Sequence, residues 1–287
     1  MHHPHSPSLR RRRLSTELRR ARERAGLTTT QTVKSLKWAA GKLSKIENAE
    51  TQTVKAADLD KMLDLYKVTD PTVREAMHQL ARDAKERGWW SKYRDVFKDE
   101  TLPDFEAEAS GLRTYESQVI PGLLQTPDYA RAIFEGGLYT GAEEVRRRTE
   151  ARMARREILT KFDPVHLRVV MDEAALRRLI GGSQVMTEQL RHLLHMARMP
   201  HIHLQVLPFD VGSHAALTAP FTILDFPNPL DPTIVCIETL TDALYLELPE
   251  DVERYSVTFG DIQGSAVSAT RSATIITDVL KSLESPR

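Results

Sequence analysis

The chain has 287 residues, 41% hydrophobic and 28% charged, with one cysteine and a formal net charge of zero. At roughly 150 residues per domain that length predicts two domains, and the composition excludes disordered, collagen-like and coiled-coil classes. The zero charge is a balance of opposites: residues 1–98 carry 22 Lys and Arg against 12 Asp and Glu, and the remainder is as acidic as this part is basic.

Residues 1–14 have no apolar pattern and are predicted to be a disordered basic arm that ends in Arg10, Arg11, Arg12 and Arg13. They also lack the apolar core of a signal peptide. No stretch reaches the ~20 apolar residues of a membrane span, and one cysteine makes no internal disulfide. A cytoplasmic protein without a membrane partner is expected. His2, His3 and His5 are too mobile, on this reading, to form a defined metal site.

A helical domain is predicted over residues 15–88. Ser15 is a candidate N-cap, and Leu14, Leu18, Ala21 and Ala25 repeat at helical spacing up to Gly26. Thr28 with Gln31 reads as a capping box for a very short second helix with Val33 and Leu36 buried. A third helix is expected two residues later, over about 39–46. There Ala39, Leu43 and Ile46 share a packing side, and Ala40, Gly41, Ser44 and Lys45 face outward. A fourth runs from about Ala56 to Tyr66 with Leu59, Leu63 and Tyr66 inward. Asp70-Pro71 opens a fifth, cored by Val73, Met77, Leu80 and Ala84.

Trp89, Trp90, Tyr93 and Phe97 mark residues 89–104 as an aromatic-rich junction. The rest, 105–287, alternates. Helices are expected near 105–117, 127–136, 142–160, 172–180, 184–198 and 266–283. Strands are expected at 165–171, 202–207, 221–226, 233–239 and 244–248. The first two strands flank a helix, as in a crossover unit, and the later ones are joined by short hairpin loops. The expected fold class is α+β: an all-α five-helix DNA-binding domain followed by a mixed α+β domain.

Two short helices joined by a tight turn, the second with an unbulky outer side, form the helix-turn-helix arrangement that places the second helix in the major groove. Thr28 starts a helix whose free N–H groups suit a phosphate. Lys42 and Lys45 supply cations on and beside the exposed side, and Ala40 and Gly41 allow close approach to base edges.

The run LRRARERAGLTTTQTVKSLKWAAGKLSKIEN, residues 18–48, resembles the DNA-binding domain of the Xre and Cro/phage-repressor family over about residues 15–70. The resemblance implies that Ala40, Gly41 and Lys45 face bases and that Thr28, Thr29 and Asn48 hold phosphates. The sequence departs from the family at Lys37, where glycine is usual. It departs again at Ala40 and Gly41, where longer base-reading side chains are usual. Bidentate reading then rests on Lys45, and specificity leans on DNA shape and on the Arg10–Arg13 arm entering a minor groove. Farther along, YESQVIPGLLQTPDYARAIF, MDEAALRRLIGG, VMTEQLRHLL and IHLQVLPFDVGSH are similar to the antitoxin-like C-terminal domain of actinomycete regulators. That resemblance implies two partners, a double-stranded DNA operator and a small protein encoded beside the regulator.

Other residues invite chemistry and are outweighed. Asp210, Ser213 and His214 lie within one pentapeptide, whereas triad members converge from separate segments, so a loop is expected. His201 and His203 could ligate a metal but have no third ligand near in sequence. Cys236 reads as a small core residue, and Glu238 with Asp242 as edge carboxylates rather than an acid/base pair. The basic helix 143–159 reads as a solvated face paired with Glu143, Glu144 and Glu150. Phosphate-loop and dinucleotide signatures are missing. The expectation is therefore a homodimeric transcriptional regulator that is not an enzyme and has no cofactor, metal or catalytic residue. Two alternatives remain: a small-molecule sensor with its pocket behind strands 202–248, and an enzyme with a DNA-binding appendage.

Overall fold

A computed structural model describes residues 7–39, 41–51, 53–84, 92–97, 102–137, 141–228, 231–239 and 242–284. The chain divides into two compact units, Met1–Lys92 and Tyr93–Arg287.

The first unit is helical: α1 Pro7–Arg24, α2 Thr29–Leu36, α3 Lys42–Glu47, α4 Ala56–Leu65 and α5 Pro71–Asp83. Its core gathers Leu14, Leu18 and Ala21 of α1, Leu43 and Ile46 of α3, Leu59, Met62 and Leu63 of α4, and Met77 and Ala81 of α5. Val33 and Leu36 pack against it only partly buried. Asp70 caps α5 as expected, its carboxylate accepting from the N–H of Thr72 at 2.8 Å.

Four expectations are corrected here. Residues 7–14 belong to α1 and are not a disordered arm. Leu9 and Leu14 are each 1% exposed, and their burial fixes a helix that the run of four arginines hides in the sequence. The link between α2 and α3 is five residues, and α3 starts at Lys42 rather than near 39. Ala39 is exposed ahead of it, and Gly41 is its N-cap with φ 86°. Val73 is 42% exposed, outside the core. Ala40, Trp89 and Trp90 lie outside the described residues, as do His2, His3 and His5.

The second unit is built on a six-stranded mixed sheet of order β3-β2-β1-β4-β5-β6. The strands are β1 Gly111–Glu116, β2 His166–Asp172, β3 Ile202–Leu207, β4 Phe221–Asp225, β5 Ile234–Glu238 and β6 Ala243–Leu246. β1, β2 and β3 run parallel, while β4, β5 and β6 form antiparallel pairs that attach to β1. Among the helices are α6 Arg94–Phe97, α7 Leu102–Glu108, α8 Pro127–Glu135, α9 Ala142–Arg155, α10 Glu173–Arg177, α11 Gly182–Met196, α12 Pro249–Ser265 and α13 Ala269–Glu284. The crossover and the hairpins match the sequence reading, and the whole is α+β.

The helix expected over 105–117 is cut short: α7 stops at Glu108, and Gly111–Glu116 is a strand inside the sheet. Strands pair with β1 on both edges, and Leu112, Thr114 and Tyr115 are all buried, so the simple in/out alternation is lost. One side of the sheet, with Tyr115, Val170, Leu207, Ile223 and Val235, packs on Phe259 and Ile262 of α12. The open edge of β3 is closed by a polar contact, Val206 N–H donating to Ser272 Oγ at 2.9 Å.

Candidate nucleic-acid interface

The capping box forms as the sequence predicts. Thr28 Oγ1 accepts from the N–H of Gln31 at 3.2 Å, and the N–H of Thr28 donates to Gln31 Oε1 at 2.9 Å. α2 closes on Lys37, which takes the left-handed conformation, φ 54° and ψ 41°, that glycine adopts most readily. Trp38 then bonds back to the carbonyl of Val33 at 3.0 Å, and α3 begins beyond Gly41. Thr28 and Thr29 are exposed at the amino-terminal end of α2.

α3 is held by side chains from α1. Ser15 Oγ donates to the carbonyl of Ile46 at 2.5 Å. Arg19 Nη2 donates to the carbonyl of Glu47 at 2.8 Å and to Asn48 Oδ1 at 2.9 Å. Arg22 reaches the Glu47 carboxylate with two bonds, 2.7 and 3.0 Å, and the carbonyl of Leu27 with a third at 2.8 Å. The guanidinium of Arg22 is held even more firmly protonated than usual, chiefly by its bonds to Glu47. The bonds from Ser15 and Arg19 add donor partners to the Ile46 and Glu47 carbonyls at the end of α3, where a helix runs out of N–H groups of its own. The sequence reading missed Arg22 and Glu47. The available signal was an arginine four residues after Leu18, on the apolar stripe of α1.

With Leu43, Ile46 and Glu47 turned inward, Ser44 and Lys45 are left exposed on α3. Lys42 is not on that outer side. Its Nζ lies 2.9 Å from Asp58 Oδ2 and 4.1 Å from the centre of the Trp38 ring, tying the start of α3 to α4. Asn48 is the C-cap of α3, with its side chain between Arg19, Ser44 and Glu50. Arg10, Arg11, Arg12 and Arg13 lie on α1, each partly buried and engaged, so they form no free arm.

In the second unit, two of the histidines weighed for chemistry have structural partners. His214 Nδ1 accepts from the N–H of Ala216 at 3.3 Å, and Gly212 turns the loop with φ 68°. His201 Nε2 donates to the carbonyl of Leu159 at 2.9 Å. No group of three or more His, Cys, Asp or Glu that could hold a metal occurs among the described residues. Along α9, Arg146 pairs with Glu143 and Glu150, Arg148 with Glu144, and Arg147 with Asp95. Burial pushes the Cys236 thiol up, away from reactivity. No described helix is long and apolar enough to cross a membrane.

Residues 13–77 match a helix-turn-helix domain family, the span that contains α2, its turn and α3. Residues 99–278 match a family described as a domain of unknown function, DUF5753, and so cover more than half of the chain. No curated protein and no solved structure matches the chain. With a helix-turn-helix domain ahead of that larger region, the chain belongs to the DUF5753 family.

Proposed function

We propose that this protein is a sequence-specific DNA-binding transcriptional regulator in which α3 enters the major groove. The observation that carries the reading is the clamp of Ser15, Arg19 and Arg22 on the end of α3, which leaves Ser44 and Lys45 outward on a short helix of fixed orientation. Lys45 is the base reader, with Gly41 and Ala40 as the positions of close approach. Thr28 and Thr29 offer the start of α2 to a phosphate, and Asn48 lies beside a second. Lys42 contributes mainly to the fold, through Asp58. Arg10–Arg13 add positive charge from α1 rather than from an arm inserted into a groove.

A recognition helix of 6 residues covers few base pairs, so the regulator acts as a homodimer on paired half-sites. The likeness of the second unit to antitoxin-like domains supports a small protein partner encoded nearby. The test is binding to the protein's own promoter and to a random duplex of equal length, each titrated across salt. Lys45→Ala is expected to weaken promoter binding and reduce its preference over random DNA. Equal loss on both duplexes would remove Lys45 as base reader, and equal affinity of the unmodified protein for both would remove sequence-specific regulation. The alternative of a small-molecule sensor is favoured by one observation, a cavity in the second unit.

A further inference from the structure

A cavity of about 300 Å³ lies in the second unit, between one side of the sheet and helices α7 and α9. Leu112, Thr114 and Glu116 alternate along β1 and therefore share this side. Thr114 stands opposite Thr222 of β4, with hydroxyls 3.2 Å apart, and Thr222 opposite Cys236 of β5. Glu238, two residues beyond Cys236, completes the wall. The turn Gly122–Leu124 roofs the space and is pinned by two glutamines. Gln125 Nε2 donates to the carbonyl of Ile120 at 2.7 Å, and Gln189 Nε2 to that of Leu124 at 2.8 Å.

The charged groups lining this space divide into those with protein partners and those without. Arg155 is closed by Glu106 through two bonds of 2.8 Å. Arg152 donates to Gln125 Oε1 at 2.9 Å and lies 4.6 Å from the centre of the Phe134 ring. Neither the half-buried Glu116 nor the exposed Glu238 has a hydrogen bond or ion pair to its carboxyl among the described residues. Burial first, and Glu238 second, push the Glu116 carboxyl up to about 8, against the partial relief of Arg152 and Arg155. A carboxyl drawn back into a cleft and given no protein partner is disfavoured as the anion, and a cation placed beside it relieves that.

We propose that this cavity binds a small amphipathic amine, its ammonium between Glu116 and Glu238 and its apolar part against Leu112, Leu123 and Ile133. A carboxylate ligand would meet two carboxyl groups, with Arg155 already closed by Glu106 and Arg152 held on Gln125 and the Phe134 ring. A neutral alcohol offers no positive charge to either carboxyl. The volume suits a compact ligand of few heavy atoms. Because the site lies within the second unit, it stands or falls independently of DNA recognition.

Binding ionises Glu116, so near neutral pH it releases close to one proton, and affinity rises up to about tenfold per pH unit below that carboxyl's titration. The experiment is calorimetric titration of the full chain with butylammonium and phenethylammonium chloride, in buffers of different ionisation enthalpy. 2-Phenylethanol and 3-phenylpropionate serve as controls. The expected result is binding of at least one amine with proton release and neither control. Glu116→Gln should weaken it at least tenfold, and the amine should slow iodoacetamide modification of Cys236. Three results would each overturn the proposal: no amine binding, controls binding as well as amines, or unchanged binding in Glu116→Gln. Should that variant fail to fold, Glu238→Gln replaces it, with weaker amine binding expected and unchanged binding again decisive.

Discussion

Arg22 and Glu47 have side chains only 10% and 4% exposed, so their pairing is set by the interior and not by water. Two desolvated charges attract strongly, yet each has lost its hydration, and the net worth of such a pair is small while the loss of one member is large. Glu47→Gln leaves the Arg22 guanidinium buried with a neutral partner and is expected to cost about 3 kcal/mol. The double variant Arg22→Met, Glu47→Leu removes both charges and should recover most of that loss. Urea melts followed by far-UV circular dichroism check both. A double variant no more stable than Glu47→Gln would mean that the bond from Arg22 to the Leu27 carbonyl matters as much as the ion pair. Lys45→Ala, at an exposed position with no side-chain partner among the described residues, is expected to leave the melting midpoint unchanged. That contrast separates the residues that hold α3 from the residue proposed to read DNA.

At the scale of elements, the turn between α2 and α3 carries a local strain that the sequence itself exposes. Lys37 occupies a left-handed conformation that costs a residue with a Cβ about 1 kcal/mol relative to glycine. Lys37→Gly is therefore expected to raise stability by up to ~1 kcal/mol, measured as a higher urea midpoint. A lower midpoint would show that the lysine side chain compensates for its backbone. The capping box at Thr28, the N-cap of α5 and the crossover and hairpin order of the sheet were legible because each rests on local chemistry or on periodicity. The start of α3 was not, since Ala39, Leu43 and Ile46 fit a helix that Gly41, at positive φ, does not continue. β1 was read as helix because burial on both sides of a central strand hides its two-residue period, while Leu112 and Tyr115 also fit helical spacing. α12 carries Val252, Tyr255, Phe259 and Ile262 at helical spacing, a signal diluted by Gly260 and Gly264. The exposure of Thr28, Thr29, Gly41, Ser44 and Lys45 was legible from local spacing; the α1 clamp and the lining of the cavity were not, because both join segments far apart in sequence.

At the scale of the whole molecule, two half-buried groups in the second unit give its stability a defined dependence on pH. His192 Nε2 accepts from Arg156 at 3.0 Å, and burial first, then Arg156 and His195, bring its pKa down to about 4 from 6.5. Between these values the unfolded chain binds one proton more than the folded one, so this group removes stability as pH falls from 6.5 to 4. Glu116, raised from 4.5 to about 8, acts in the opposite sense: the folded state holds the extra proton, and stability falls as pH rises through that window. From 4.5 to 6.5 the two slopes oppose one another, and the contribution of the pair is nearly flat; above 6.5 only Glu116 acts, and stability declines towards pH 8. Cys236, the single cysteine and buried in β5, reports on this unit alone when urea unfolding is read as the fraction modified in a brief thiol-reagent pulse. Glu116→Gln is expected to abolish the decline above 6.5 and uncover the loss below it, whereas His192→Gln should extend the decline down to about 4.5. If Glu116→Gln leaves the profile above 6.5 unchanged, Glu116 is ionised in the folded state at neutral pH. The proton release expected on amine binding would then be absent as well, so the melt and the calorimetric titration test the same carboxyl by separate routes.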